Sequence, residues 1–136
     1  MREWYAHVKV TAKKYNLDPN LCAALAAGES GIGNKEVRFS WVGYGKYLGP
    51  YNLHYSVVER YKVTDWKSCT EVGIMLLSNK LNKYRSLRNA LRHYNTDDKG
   101  KKFDDYVGNI KRLQKQYKKR GVFIDEPRNY SLKMTK

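Results

Sequence analysis

The hydrophobic positions of this chain fall into runs at helical spacing, separated by short polar breaks. Trp4, Val8, Ala12 and Tyr15 recur every three or four residues, which predicts a helix from Arg2 to Tyr15. Asn16-Leu17-Asp18-Pro19 interrupts the pattern; Asp18 suits the N-cap of a new helix and Pro19 its first position. The helix that follows, Asn20 to about Glu29, differs in kind. Leu21, Cys22, Ala23, Ala24, Leu25, Ala26, Ala27 and Gly28 are small or apolar on every side. A helix apolar all round is buried all round, so this one is predicted to be the centre of the domain.

Beyond it the periodicity stops. Ser30 to Pro50 holds Gly31, Gly33, Gly43, Gly45 and Gly49 among Phe39, Trp41, Tyr44 and Tyr47. Long irregular stretches in compact domains are usually functional. Flat rings among glycines suit the wall of a sugar site; a short hairpin with a local aromatic cluster is the alternative. Helical spacing then returns. A short helix is predicted over Leu53 to Tyr61, and a longer one opened by Asp65 and running to about Tyr84, with Ile74, Leu77, Leu81 and Tyr84 on one face. Ser86 to Tyr94 follows as another short helix, and Asn95 to Lys102 is polar. Phe103, Tyr106, Val107, Ile110, Leu113 and Tyr117 form the stripe of a last amphipathic helix, with Lys111, Arg112, Lys115, Lys118, Lys119 and Arg120 opposite and Gly121 as its stop. The fold class is mainly α: five to seven helices around a central buried helix, with little or no β. Residues 1–120 form the domain, and the basic segment 121–136 packs on it or trails from it.

Composition narrows the function classes. A chain of 136 residues fits one domain, and 41% hydrophobic residues with 12 Tyr exclude a disordered chain. The formal net charge of +14 predicts attraction to polyanions: nucleic acid, anionic lipid or an anionic bacterial wall. Cys22 and Cys69 lack metal-ligand spacing and the three His form no cluster, so no metal and no cofactor is expected. The two cysteines are either buried free thiols or, outside the cytosol, a disulfide. No run of about 18 apolar residues exists, so no membrane span is expected. Met1 to Val10 carries Arg2, Glu3, His7 and Lys9 and shows no signal-peptide core.

The candidate chemistry sits at Glu29. An acid directly after Ala23 to Gly28 is out of place in such a helix, because burying a carboxylate is costly unless it is paired or protonated. Desolvation and the negative end of the helix dipole both favour the protonated form. A carboxylic acid kept protonated near neutral pH can protonate a glycosidic oxygen. The alternative is a Glu that turns into solvent at a frayed helix end.

Glu29-Ser30-Gly31 after an apolar helix resembles the Glu-Ser motif of the lytic transglycosylases of the soluble type and the goose-type lysozyme-like superfamily. Three further segments resemble that family in its order: Gly49-Pro50-Tyr51-Asn52-Leu53 its Gly-Leu-Met-Gln segment, Val72 to Leu77 the helix after it, and Ala90-Leu91-Arg92-His93-Tyr94-Asn95 its Ala-Leu-Ala-Ala-Tyr-Asn motif. Tyr106-Val107 fits the downstream helix. The resemblance covers roughly Tyr15 to Tyr117. It implies a lysozyme-like domain and a peptidoglycan glycan strand as substrate. Glu29 would be the sole catalytic carboxylate, Ser30 would orient it or contact the substrate's N-acetyl group, and Tyr94 would set its hydroxyl near Glu29. Asn95 would hold a loop or the sugar, and Gly49, Tyr51 and Asn52 would line the cleft. The chain departs from the family at Asn52, one methylene shorter than the usual Gln, and at Pro50-Tyr51 in place of Leu-Met.

Most glycosidases pair an acid with a second carboxylate. Glu36, Asp97 and Asp98 are candidates here, all in polar loop sequence and none within a motif. The family manages with one, which implies cleavage of the bond between N-acetylmuramic acid and N-acetylglucosamine to give 1,6-anhydro ends; activation of water instead would make the chain a lysozyme. The expected setting is the periplasm, cell wall or exterior, in a phage-encoded or virion-associated enzyme or a mature domain cut from a larger protein. The expected partners are the glycan strand and an anionic wall surface, with the chain a monomer. The rivals are a basic helical nucleic-acid module, which lacks a convincing recognition helix here, and a non-catalytic wall-binding domain.

Overall fold

The computed structural model describes residues 2–30, 47–94 and 100–124. These residues are mainly helical: α1 (Arg2–Lys14), α2 (Pro19–Ser30), α3 (Tyr55–Arg60), α4 (Trp66–Tyr84), α5 (Leu87–Tyr94) and α6 (Lys101–Arg120). Two short strands, β1 (Tyr47–Leu48) and β2 (Leu53–His54), form an antiparallel pair with Tyr47 opposite His54 and Leu48 opposite Leu53.

The all-apolar helix is where its composition puts it. Leu21 to Ala26 are all buried, and α2 packs against both α1 and α6. Small side chains let the neighbours come close. A Cβ on Gly28 would stand 3.1 Å from Ile110 Cγ1, so α6 lies nearly against the α2 backbone there. At the other end of α2, Gln114 Nε2 of α6 donates to Asp18 Oδ2 at 2.9 Å. The two helices therefore run antiparallel, Asp18 beside Gln114 and Gly28 beside Ile110.

Polar groups fix the remaining joints. Asp18 caps α2 by accepting from the Asn20 backbone N–H and side-chain amide, both at 2.9 Å. Burial pushes the Asp18 carboxyl up, but the bonds from Gln114 and Asn20 outweigh it and hold the group below the usual carboxylate range. Asp65 opens α4 with a reciprocal capping box to Ser68, whose backbone N–H donates to Asp65 Oδ1 at 2.8 Å. The buried Trp4 of α1 donates its indole N–H to Thr70 of α4 at 3.1 Å. Gly121 stops α6 in the left-handed conformation. Packing continues past residue 120: Val122 and Phe123 are half-buried, and the Phe123 ring meets Tyr5 edge-on at 5.6 Å.

One element differs from the pattern-based expectation. Leu53 and His54 belong to a strand, and the helix starts only at Tyr55. Leu53 is buried opposite Leu48, and the His54 side chain accepts from the Ser56 N–H, capping α3. An apolar run of this length does not distinguish a strand end from a helix start.

Candidate functional site

Glu29 stands one residue past Gly28, where Ile110 of α6 packs close on the α2 backbone. Tyr106 lies one helical turn before Ile110 on α6, which brings its phenol level with the Glu29 carboxylate. The Tyr106 hydroxyl donates to Glu29 Oε1 at 2.5 Å. Glu29 is half-buried, at the negative end of the α2 dipole.

The second oxygen is met by the hairpin turn. Gly49 to Asn52 joins β1 to β2, with the Asn52 N–H donating to the Gly49 carbonyl at 3.0 Å. Gly49 has φ 78° and Asn52 φ 53°, a left-handed conformation that Asn tolerates better than most side chains. From there Asn52 Nδ2 donates to Glu29 Oε2 at 3.3 Å. The shorter amide at this position does reach the carboxylate.

Tyr51 holds the turn in place. Its ring is fully buried, and its hydroxyl donates to the Cys22 carbonyl of α2 at 2.9 Å. The opposite face of the ring lies on Gly73 of α4, so closely that a Cβ there would overlap Tyr51 Cγ and come within 2.6 Å of its Cβ. The backbone of the same residue is clamped from α5: the Tyr94 hydroxyl donates to the Tyr51 carbonyl at 2.8 Å. Burial, and then the charge of Glu29, push the Tyr94 phenol well above its ordinary range, so it stays a protonated donor. Tyr94 is therefore close enough to sense the Glu29 charge, while its hydrogen bond goes to the turn that carries Asn52.

Ser30 takes a local role. Its hydroxyl donates back to the Ala26 carbonyl at 2.8 Å, and its oxygen retains acceptor capacity toward an incoming donor. Cys22 and Cys69 are both free and buried. Burial pushes each thiol up to about 12, which keeps them uncharged and chemically quiet. Asn95, the carboxylates Glu36, Asp97 and Asp98, and the aromatic residues Phe39, Trp41 and Tyr44 lie outside the described residues.

Glu29, Asn52, Tyr51 and Tyr94 thus come together in the structure, with Gly49 at the start of the same turn. Tyr106 is the residue whose part was missed. Its place in the apolar stripe of α6 marks it as core; the signals of more are a polar tip on that stripe and the fit of Tyr106-Val107 to the downstream helix of the family it resembles. Chemically, the arrangement is one carboxyl group positioned at both oxygens, with a phenol able to donate to the carboxylate or accept from the acid. Among the described residues no group of three or more His, Cys, Asp or Glu is placed to hold a metal ion. No helix among them is long and apolar enough to cross a membrane. No family model, no curated protein and no solved structure matches this chain.

Proposed function

We propose that the chain cleaves the glycan strand of peptidoglycan, with Glu29 as general acid and then general base. The observation that carries this reading is the fixed carboxyl at the end of the innermost helix, met at Oε1 by the Tyr106 hydroxyl at 2.5 Å and at Oε2 by the Asn52 amide at 3.3 Å. A carboxyl that must first give a proton and then take one back needs to be held in one place through both charge states. Tyr106 can donate to the anion and accept from the acid, so it serves both. The resemblance of Glu29-Ser30, Gly49 to Leu53 and Ala90 to Asn95 to the lytic transglycosylases adds independent support, and a mainly helical fold agrees with it.

In the proposed reaction, Glu29 protonates the oxygen between N-acetylmuramic acid and N-acetylglucosamine as the bond to C1 breaks. The substrate's own N-acetyl carbonyl stabilises the cation at C1, the substrate-assisted route. Glu29, now anionic, removes the proton from the C6 hydroxyl, and that oxygen closes on C1 to give the 1,6-anhydro ring. Asn52 and Tyr106 hold the anion between the two steps.

Mass analysis of purified peptidoglycan after incubation with the protein tests this reading. The expected products are muropeptides with 1,6-anhydro ends. Products with hydrated, reducing ends would make the enzyme a lysozyme on the same site, and an unaltered glycan would remove the enzymatic reading altogether.

A further inference from the structure

The outer face of α6 is not used by the site. From Tyr106 to Arg120 the helix contains six cations and no acid: Lys111, Arg112, Lys115, Lys118, Lys119 and Arg120 are all exposed. The last three lie in the final turn, where the helix dipole stabilises positive charge. Lys111, Arg112 and Lys115 lie too far inside for that explanation. Lys111, Lys115 and Lys119 follow one another at four-residue intervals, an arrangement in which like charges repel and weaken the helix. Among the described residues, no carboxylate pairs with any of these three.

The face also lacks rings. The aromatic residues of α6 are Phe103, Tyr106 and Tyr117, and all are buried or half-buried on the side toward the core. Proteins that bind single-stranded nucleic acid combine cations with exposed aromatic side chains on which bases stack. This helix offers the cations without the platforms.

We propose that the row Lys111, Lys115, Lys119 is a binding track for a linear phosphodiester polymer without bases, of the polyol-phosphate kind. Successive lysines stand about 6 Å apart along the helix axis, at a rise of about 1.5 Å per residue. Each is a flexible point charge suited to a phosphate rather than a fork that demands one planar geometry. Binding is driven by release of counterions from the polymer, so it depends steeply on salt. The track is exposed along its length and stands apart from the reading of the catalytic site.

Titrating the whole protein with poly(glycerol phosphate) at several salt concentrations tests the proposal. Lys111→Gln, Lys115→Gln and Lys119→Gln combined should reduce the slope of log K against log salt by about 2, at about 0.7 per lost contact, and weaken binding roughly a hundredfold at about 0.1 M salt. The triple Lys→Arg variant keeps the charge and should restore binding, which guards against a folding artefact. Lys13→Gln, Lys62→Gln and Lys83→Gln remove the same charge elsewhere and should leave the slope nearly unchanged. An equal loss from this second set would show net charge without a track and overturn the proposal. So would tighter binding of single-stranded DNA than of poly(glycerol phosphate) at equal phosphate, or an unchanged slope in the α6 variant.

Discussion

Tyr106 is one phenol among 12, and its oxygen is what separates it from a core residue. Replacing it by Phe keeps the ring on α6 and removes the donor to Glu29 Oε1. A hydrogen bond to a charged group contributes about 1.5–3 kcal/mol. If Glu29 acts as proposed, Tyr106→Phe should lower kcat on peptidoglycan by roughly ten- to a hundredfold, each 1.4 kcal/mol being a factor of about ten. Steady-state kinetics with a melting curve on the same sample checks this; full activity in a folded variant contradicts it. A second outcome at this scale concerns the thiols. With both pushed up to about 12 by burial, Cys22 and Cys69 should resist a thiol reagent at about pH 8 in the native protein and react promptly once it is unfolded. Fast labelling of the native protein would contradict the packing around Tyr51.

At the scale of elements, the site depends on a turn held by three helices. Gly73 leaves room for the Tyr51 ring, Cys22 accepts its hydroxyl, and Tyr94 grips its carbonyl. Gly73→Ala forces a methyl into that ring; overpacking of this kind costs about 1–3 kcal/mol. Denaturant unfolding should register the loss, and the displacement of Tyr51 should carry Asn52 away from Glu29. Tyr94→Phe is milder: it frees the Tyr51 carbonyl without adding bulk. Several of these elements are legible in the sequence because one property decides each of them. The unbroken apolar run of α2 can only be interior, Asp65 and Gly121 are punctuation, and the stripe of α6 has one period. The hairpin is not legible in that way. Its strands are two residues each, its register rests on Leu48 facing Leu53, and its anchor is a tyrosine whose partners lie 22 residues ahead on α4 and 29 behind on α2. Tyr94 illustrates the same limit: the resemblance implies a hydroxyl near Glu29, but that its bond goes to a backbone carbonyl is decided by packing.

For the whole molecule, the acid limb of stability follows from two caps. The carboxyls of Asp18 and Asp65 are both held below their ordinary value of 3.8, Asp18 by the bonds from Gln114 and Asn20 against the opposing effect of burial, Asp65 mainly by Ser68. A carboxyl depressed in the folded state contributes stability that is full above its unfolded pKa and is lost as pH falls through the folded one. The protein should therefore lose stability below about pH 4, and Asp18→Asn, which retains a capping oxygen, should show a deficit at about pH 6 that narrows at about pH 3. Urea unfolding at the two pH values reads this directly; a deficit that grows on acidification contradicts it. The joint is global, because Asp18 ties the base of α2 to α6 while Glu29 and Tyr106 tie its other end. The catalytic reading rests on that second tie, and the most direct measurement compares wild type with Glu29→Gln on purified peptidoglycan. The isosteric amide should fold with the same melting temperature and release essentially no anhydro-muropeptides, while the wild type releases them steadily. A folded Glu29→Gln protein that solubilises the glycan at the wild-type rate would contradict the account.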